Sequence, residues 1–148
     1  MEYTDFEKDF PERTLGILNS YKGKYEVSLL LNCLLALLVL PKEKLLNNIP
    51  EEIPPGWGLT KENIKKVSCE SCGYKLKEIV RHMRNAISHM RIKTANDDKG
   101  NIEMIRFKDG RSFELEISVN NLKTFVTKLA KHVIEKNHSF VSEILINN

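Results

Sequence analysis

Between Leu76 and Met90 apolar side chains return at steps of three and four: Leu76, Ile79, Val80, Met83, Ile87 and Met90. An α-helix gathers residues so spaced on one side, because about 3.6 residues complete a turn. The spacing predicts a helix over Gly73 to about Ile92 whose stripe faces a core. The rest of the chain has to supply that core.

Further segments can be read along the rest of the chain. Residues Phe6 to Tyr21 form a first helix, with Phe6, Phe10, Leu15 and Ile17 or Leu18 on its apolar side and a bend or restart at Pro11. Residues Tyr25 to Leu40 form a second, stopped by Pro41. Its stretch VSLLLNCLLALLVL is fourteen residues long with Asn32 and Cys33 inside it, short of the ~20 that cross a bilayer, so a buried helix is expected. Asn47 to Leu59, with Pro50, Pro54, Pro55, Gly56 and Gly58, reads as a surface loop anchored by Trp57, with a short helix before it at Lys42 to Leu46. A β-hairpin over about 102–119 follows from the alternation of Phe113, Leu115, Ile117 and Val119, with Asp109-Gly110 as a two-residue turn. The last clear element is an amphipathic helix over about 120–136, burying Leu122, Phe125, Val126, Leu129 and Val133 and capped by Asn120 or Asn121. Beyond Asn137 the chain reads as a frayed tail or a short helix.

At 148 residues, 41% of them hydrophobic, one domain spanning 1–148 is expected. The formal charge is only +3, but residues 61–94 carry nine Lys or Arg against three Asp or Glu. The positive charge thus concentrates around the predicted helix, as a site for a polyanion requires. The opening MEYTDFEKDF is acidic and polar, unlike a secretory signal, so a cytoplasmic protein with no membrane partner is expected. Three cysteines, an odd number, argue against a disulfide framework there. Cys69 and Cys72 form a CxxC, half a zinc site at best; local packing, metal binding and redox chemistry are the alternatives, with packing favoured.

The stretch RHMRNAISHMR, Arg81 to Arg91, holds three arginines and two histidines and no carboxylate. Measured from Leu76 at ~100° per residue, Arg84, Ser88, Arg81, Asn85 and His89 occupy the flank and far side of the helix. Arg84 and His89 are separated by roughly 140° around the axis, so one copy does not set them side by side. A second copy across a two-fold axis would place two of each around one cleft. Histidine moves protons near neutral pH, and arginine presents a forked cationic donor to phosphate oxygens. The pair suits attack at a phosphodiester. With no carboxylate cluster on this helix to hold a divalent ion, a two-metal mechanism is disfavoured. The nucleophile then comes from the substrate, as the 2′-hydroxyl of RNA.

Arg84-Asn85-Ala86-Ile87-Ser88-His89 resembles the Arg-x4-6-His motif of the HEPN superfamily (higher eukaryotes and prokaryotes nucleotide-binding), including its polar residue after the arginine. The succession of YEVSLLLNCLLALLVLPKE, the Pro-rich loop, RHMRNAISHMRI, FKDGRSFELEIS and LKTFVTKLAKHV is similar to short stand-alone bacterial HEPN nucleases over most of the chain. The resemblance implies a mainly α fold, a helical bundle with one β-hairpin. It implies a homodimer with a composite active site and a cofactor-free, metal-independent endoribonuclease leaving a 2′,3′-cyclic phosphate and a 5′-hydroxyl. A toxin-antitoxin or phage-defence setting, with an antitoxin protein as partner, belongs to the same expectation. Carried over, His89 is the general base or acid, Arg84 the phosphate donor and Asn85 a polar support.

Ser88, Arg81 and Arg91 are candidate RNA contacts, although Arg81 and Arg91 read equally well as a solvated basic face. His82, on the other shoulder of the helix, and Tyr74 read as packing residues. A non-catalytic RNA-binding module and a structural or interaction dimer stand as the alternatives to a nuclease.

Overall fold

The computed structural model describes residues 2–39 and 48–146, without the side chains of Val39 and residues 137–146. The stop at Pro41 and the short helix at Lys42 to Leu46 lie outside the described residues. The chain divides into two compact units, Met1–Ile49 with Val126–Asn148, and Pro50–Phe125.

In the first unit, α1 (Phe6–Ser20) begins at Asp5, whose carboxylate accepts from Lys8 N–H at 3.3 Å, and continues without a break through Pro11. Its buried residues are Pro11, Thr14 and Leu18. Of the alternatives Ile17 and Leu18 it is Leu18 that faces inward, while Ile17 and also Phe6, expected inward, are about half exposed, because the buried face follows the 11, 14, 18 spacing. α1 packs on α2 (Glu26–Val39), where Leu30, Cys33, Leu34, Leu37 and Leu38 are buried. Burial pushes the Cys33 thiol up, as befits a core side chain. No described helix is long and apolar enough to cross a membrane.

In the second unit a four-stranded antiparallel sheet, ordered β1-β4-β3-β2, comprises β1 (Ile64–Val67), β2 (Ile92–Asn96), β3 (Ile102–Asp109) and β4 (Phe113–Ser118). The third helix, α3 (Leu76–Ser88), packs on β3. Leu76, Ile79, Val80, Met83, Ala86 and Ile87 of the helix and Ile105, Phe107, Phe113, Leu115 and Ile117 of the sheet are buried. Each such large side chain contributes about 1.5–3 kcal/mol. The Pro-rich loop supports the helix start: Glu51 C=O accepts the Leu76 N–H at 3.0 Å, and Lys75 pairs with Glu51 and Glu52. Trp57 lies against Phe125, ring centroids 6.2 Å apart.

The expected helical bundle with one hairpin is therefore wrong. The fold is mixed α/β, with four α-helices and a four-stranded sheet among the described residues. Two strands escaped the sequence reading. β1 has only four residues with two adjacent lysines exposed, too short to show alternation. β2 was hidden because Met90 and Ile92 prolong the helical spacing.

The helix instead ends at Ser88, with His89 as its C-cap. Met90 turns left-handed at φ 55°, while Arg91 N–H reaches Ala86 C=O at 2.8 Å and Met90 N–H reaches Ile87 C=O at 3.0 Å. This 6→1 and 5→2 pair closes a Schellman cap, in which glycine usually holds the left-handed position. Met90 is 88% exposed, so no burial offsets the strain. Met90→Gly is expected to stabilise the protein by about 1 kcal/mol, raising Tm by a few degrees in calorimetry; an unchanged or lower Tm would contradict that account.

The final helix, α4 (Val119–Ile146), runs past residue 136 in place of a tail. Its start is capped by Ser118, whose Oγ accepts the Asn121 N–H at 3.2 Å, instead of by Asn120 or Asn121. The β3–β4 connection is a three-residue loop, since Asp109 is the last residue of β3 and pairs with Phe113.

Candidate functional site

The second half of α3 and the turn after it carry the polar residues singled out above. Arg84 and Asn85 are half-buried, and Arg84 Nη2 donates to Asn85 Oδ1 at 3.4 Å. Ser88 and His89 are exposed at the helix end, where His89 N–H still bonds Asn85 C=O at 3.0 Å. The His89 imidazole makes no hydrogen bond among the described residues. Within one chain, then, the fold joins Arg84 to Asn85 and leaves His89 facing solvent.

Arg81 is bound by Glu78 one turn earlier, with Nε at 3.1 Å and Nη2 at 2.5 Å. Such surface pairs contribute little stability, but this one partly neutralises a cation that the sequence presented as free. Arg91 is exposed beyond the helix, its carbonyl accepting the Lys108 N–H at 3.1 Å.

Asp109 is the residue that sequence reasoning missed. Its Oδ2 accepts from Asn85 Nδ2 at 3.1 Å and lies 2.7 Å from His82 Nδ1. The His82 ring stacks on Phe113 with centroids 4.5 Å apart and planes 8° from parallel. Asp109 looked like a turn residue because Asp-Gly is a strong hairpin signal. Only the strand register reveals that its side chain belongs to α3.

Partial burial pushes the Asp109 carboxyl up, but the hydrogen bonds from His82 and Asn85, with the charges of His82 and Arg91, outweigh burial and hold it below the usual range. A carboxyl depressed on folding contributes stability that is present above its unfolded value, about 3.9, and lost as pH falls through the folded value. The stability gap between wild type and Asp109→Asn should therefore be constant above pH ~5 and narrow as the pH drops through the ordinary carboxylate range and below it. Urea denaturation across that range measures it, and a gap that widens on acidification would refute the assignment.

Cys69 and Cys72, the weak metal candidates, are joined by a disulfide, contrary to the sequence expectation; Cys33 is free and buried. Gly73 makes the tight loop feasible: its N–H bonds Cys69 C=O at 2.7 Å, and a Cβ there would lie 1.8 Å from Val67 Cγ2. Among the described residues no group of three or more His, Cys, Asp or Glu is placed to hold a metal ion.

An arginine bonded to the amide that follows it, that amide tied to β3 through Asp109, and an exposed histidine closing the same helix define an Arg-x4-His protein of mixed α/β fold. The family described as HEPN pEK499 p136 matches residues 1–140, and the chain belongs to it. Membership suggests a nuclease or RNA-binding role and, in general terms, RNA interaction and dimerisation. No curated protein and no solved structure matches the chain.

Proposed function

We propose that this protein is a metal-independent endoribonuclease that acts as a homodimer, with the Arg84–His89 stretches of both subunits lining one site. His89 removes the proton of a ribose 2′-hydroxyl. The resulting oxygen attacks the adjacent phosphorus, and the P–O5′ bond breaks as the leaving oxygen takes up a proton. The products are a 2′,3′-cyclic phosphate and a 5′-hydroxyl. Arg84 meets the non-bridging oxygens where charge accumulates, and Asn85 supports it. Ser88, Arg81 and Arg91 supply further contacts to the RNA backbone, with Arg81 giving up part of its bond to Glu78. A toxin-antitoxin or phage-defence role, with a protein antitoxin, is the setting that the resemblance to stand-alone bacterial HEPN nucleases implies.

The observation that supports this reading is the Arg84-Asn85 pair and the exposed His89 closing one helix in a chain of the HEPN family. It is tested by incubating the protein with mixed RNA in excess chelator and analysing the product ends. Cyclic phosphates are expected, and a deoxyribose at the scissile position should block the cut. Cleavage of all-DNA substrate would overturn the reading.

A second reading, RNA binding without catalysis, is favoured by one feature: nothing among the described residues orients the His89 ring. It predicts salt-dependent RNA binding with no cyclic-phosphate product, which the same digestion separates from the first.

A further inference from the structure

We propose that Asp109 is a positioning residue, which fixes the Asn85 amide and through it biases the direction of the Arg84 guanidinium, with His82 as its brace. The consequence for turnover rests on the proposed nuclease reading; the geometry does not.

The two ends of an amide are not equivalent. With Asn85 Nδ2 donating to the Asp109 carboxylate at 3.1 Å, Asn85 Oδ1 is left to accept from Arg84 Nη2 at 3.4 Å. Turning the amide over would set its oxygen against a carboxylate and its NH2 against a guanidinium, two repulsive contacts in place of two attractive ones. Asp109 therefore selects the amide orientation that Arg84 needs. The Arg84 link is long, so it biases the direction of that side chain without clamping it.

Asp109 is in turn held from every side. Its backbone is the last paired residue of β3, opposite Phe113. From α3, His82 Nδ1 meets the same oxygen at 2.7 Å, and β4 presents the Phe113 ring on which His82 lies flat. Arg91, from the segment after α3, adds its positive charge. A hairpin residue thus reaches across to the helix that carries the motif, which explains why Asp109 is half-buried although Gly110 and Arg111 beside it are exposed.

The test is a double-mutant cycle on RNA cleavage with Asp109→Asn, Asn85→Ala and the double variant. Asp109→Asn is expected to lower kcat by about tenfold with KM nearly unchanged. In the Asn85→Ala background, where the route to Arg84 is already cut, the same substitution should change kcat by no more than about twofold. An equal loss in both backgrounds would mean that Asp109 acts merely through the fold, and would overturn the proposal.

A second readout does not need catalysis. The 15N heteronuclear NOE of the Arg84 Nε–H is expected to fall in both Asp109→Asn and Asn85→Ala, and an unchanged value in Asp109→Asn would overturn the proposal. If no variant, including wild type, cleaves RNA, the nuclease reading fails and this NOE still decides the positioning role. If Asp109→Asn does not fold, His82→Phe, which keeps a ring on Phe113 and removes the nitrogen, carries the same measurement. A lowered NOE supports the brace and an unchanged one refutes it.

Discussion

His89→Ala is expected to retain RNA affinity and lose cleavage, with kcat lower by about 10²–10⁴-fold, the usual worth of a positioned acid or base. His89 is exposed at the helix end and bears on no core contact, so the thermal stability of the variant should match wild type. That separates a chemical loss from a folding loss. Arg84→Ala should lose turnover and weaken binding together, because a guanidinium on phosphate acts in the ground state as well as in the transition state. Arg84→Lys should recover little, since an ammonium lacks the planar fork. Digestion in excess chelator with end-group analysis measures all three, and undiminished cyclic-phosphate production by His89→Ala would refute the assigned chemistry.

Phe113→Ala is expected to cost about 3–5 kcal/mol and to lower Tm by roughly 10 °C or more. Phe113 is fully buried in the sheet and carries the His82 ring on its face. Its removal opens a cavity and takes away the surface against which His82 addresses Asp109. Phe113→Leu keeps most of the volume, so it should cost far less while still removing the flat ring. Urea denaturation of the two variants checks the order. Equal stability of Phe113→Ala and wild type would place the core elsewhere.

Much of the fold was legible because its signals are local. The stripe Leu76, Ile79, Val80, Met83 and Ile87 is the buried face of α3, and the alternation of Phe113, Leu115 and Ile117 is the buried face of β4. Errors arose where two local signals overlapped or none was strong enough. Met90 continues the helical spacing, yet it is the exposed, left-handed residue that ends the helix and launches β2. Ile64 to Val67 carries too few residues to announce a strand and becomes one by pairing with β4. The cap of α4 is Ser118, the last residue of β4, two positions before Asn120 and three before Asn121.

The candidate site divides along the same line. Arg84, Asn85 and His89 could be read from the chain because their relation is a spacing along one helix, and periodicity is written in sequence. Asp109 could not, nor could the partnership of His82 with it, since a carboxylate 24 positions from Asn85 and 27 from His82 is brought near only by the register of β3 against β4 and the packing of α3 on the sheet. By itself the sequence determined which helix carries the Arg-x4-His motif, which face of it is apolar and where the positive charge concentrates. The tertiary structure decided which cations are neutralised, which amide orientation Arg84 meets and that the fold is mixed α/β. The physical reason is that hydrogen bonds and ion pairs depend on distances in space, which one-dimensional spacing fixes within an element and leaves open between elements.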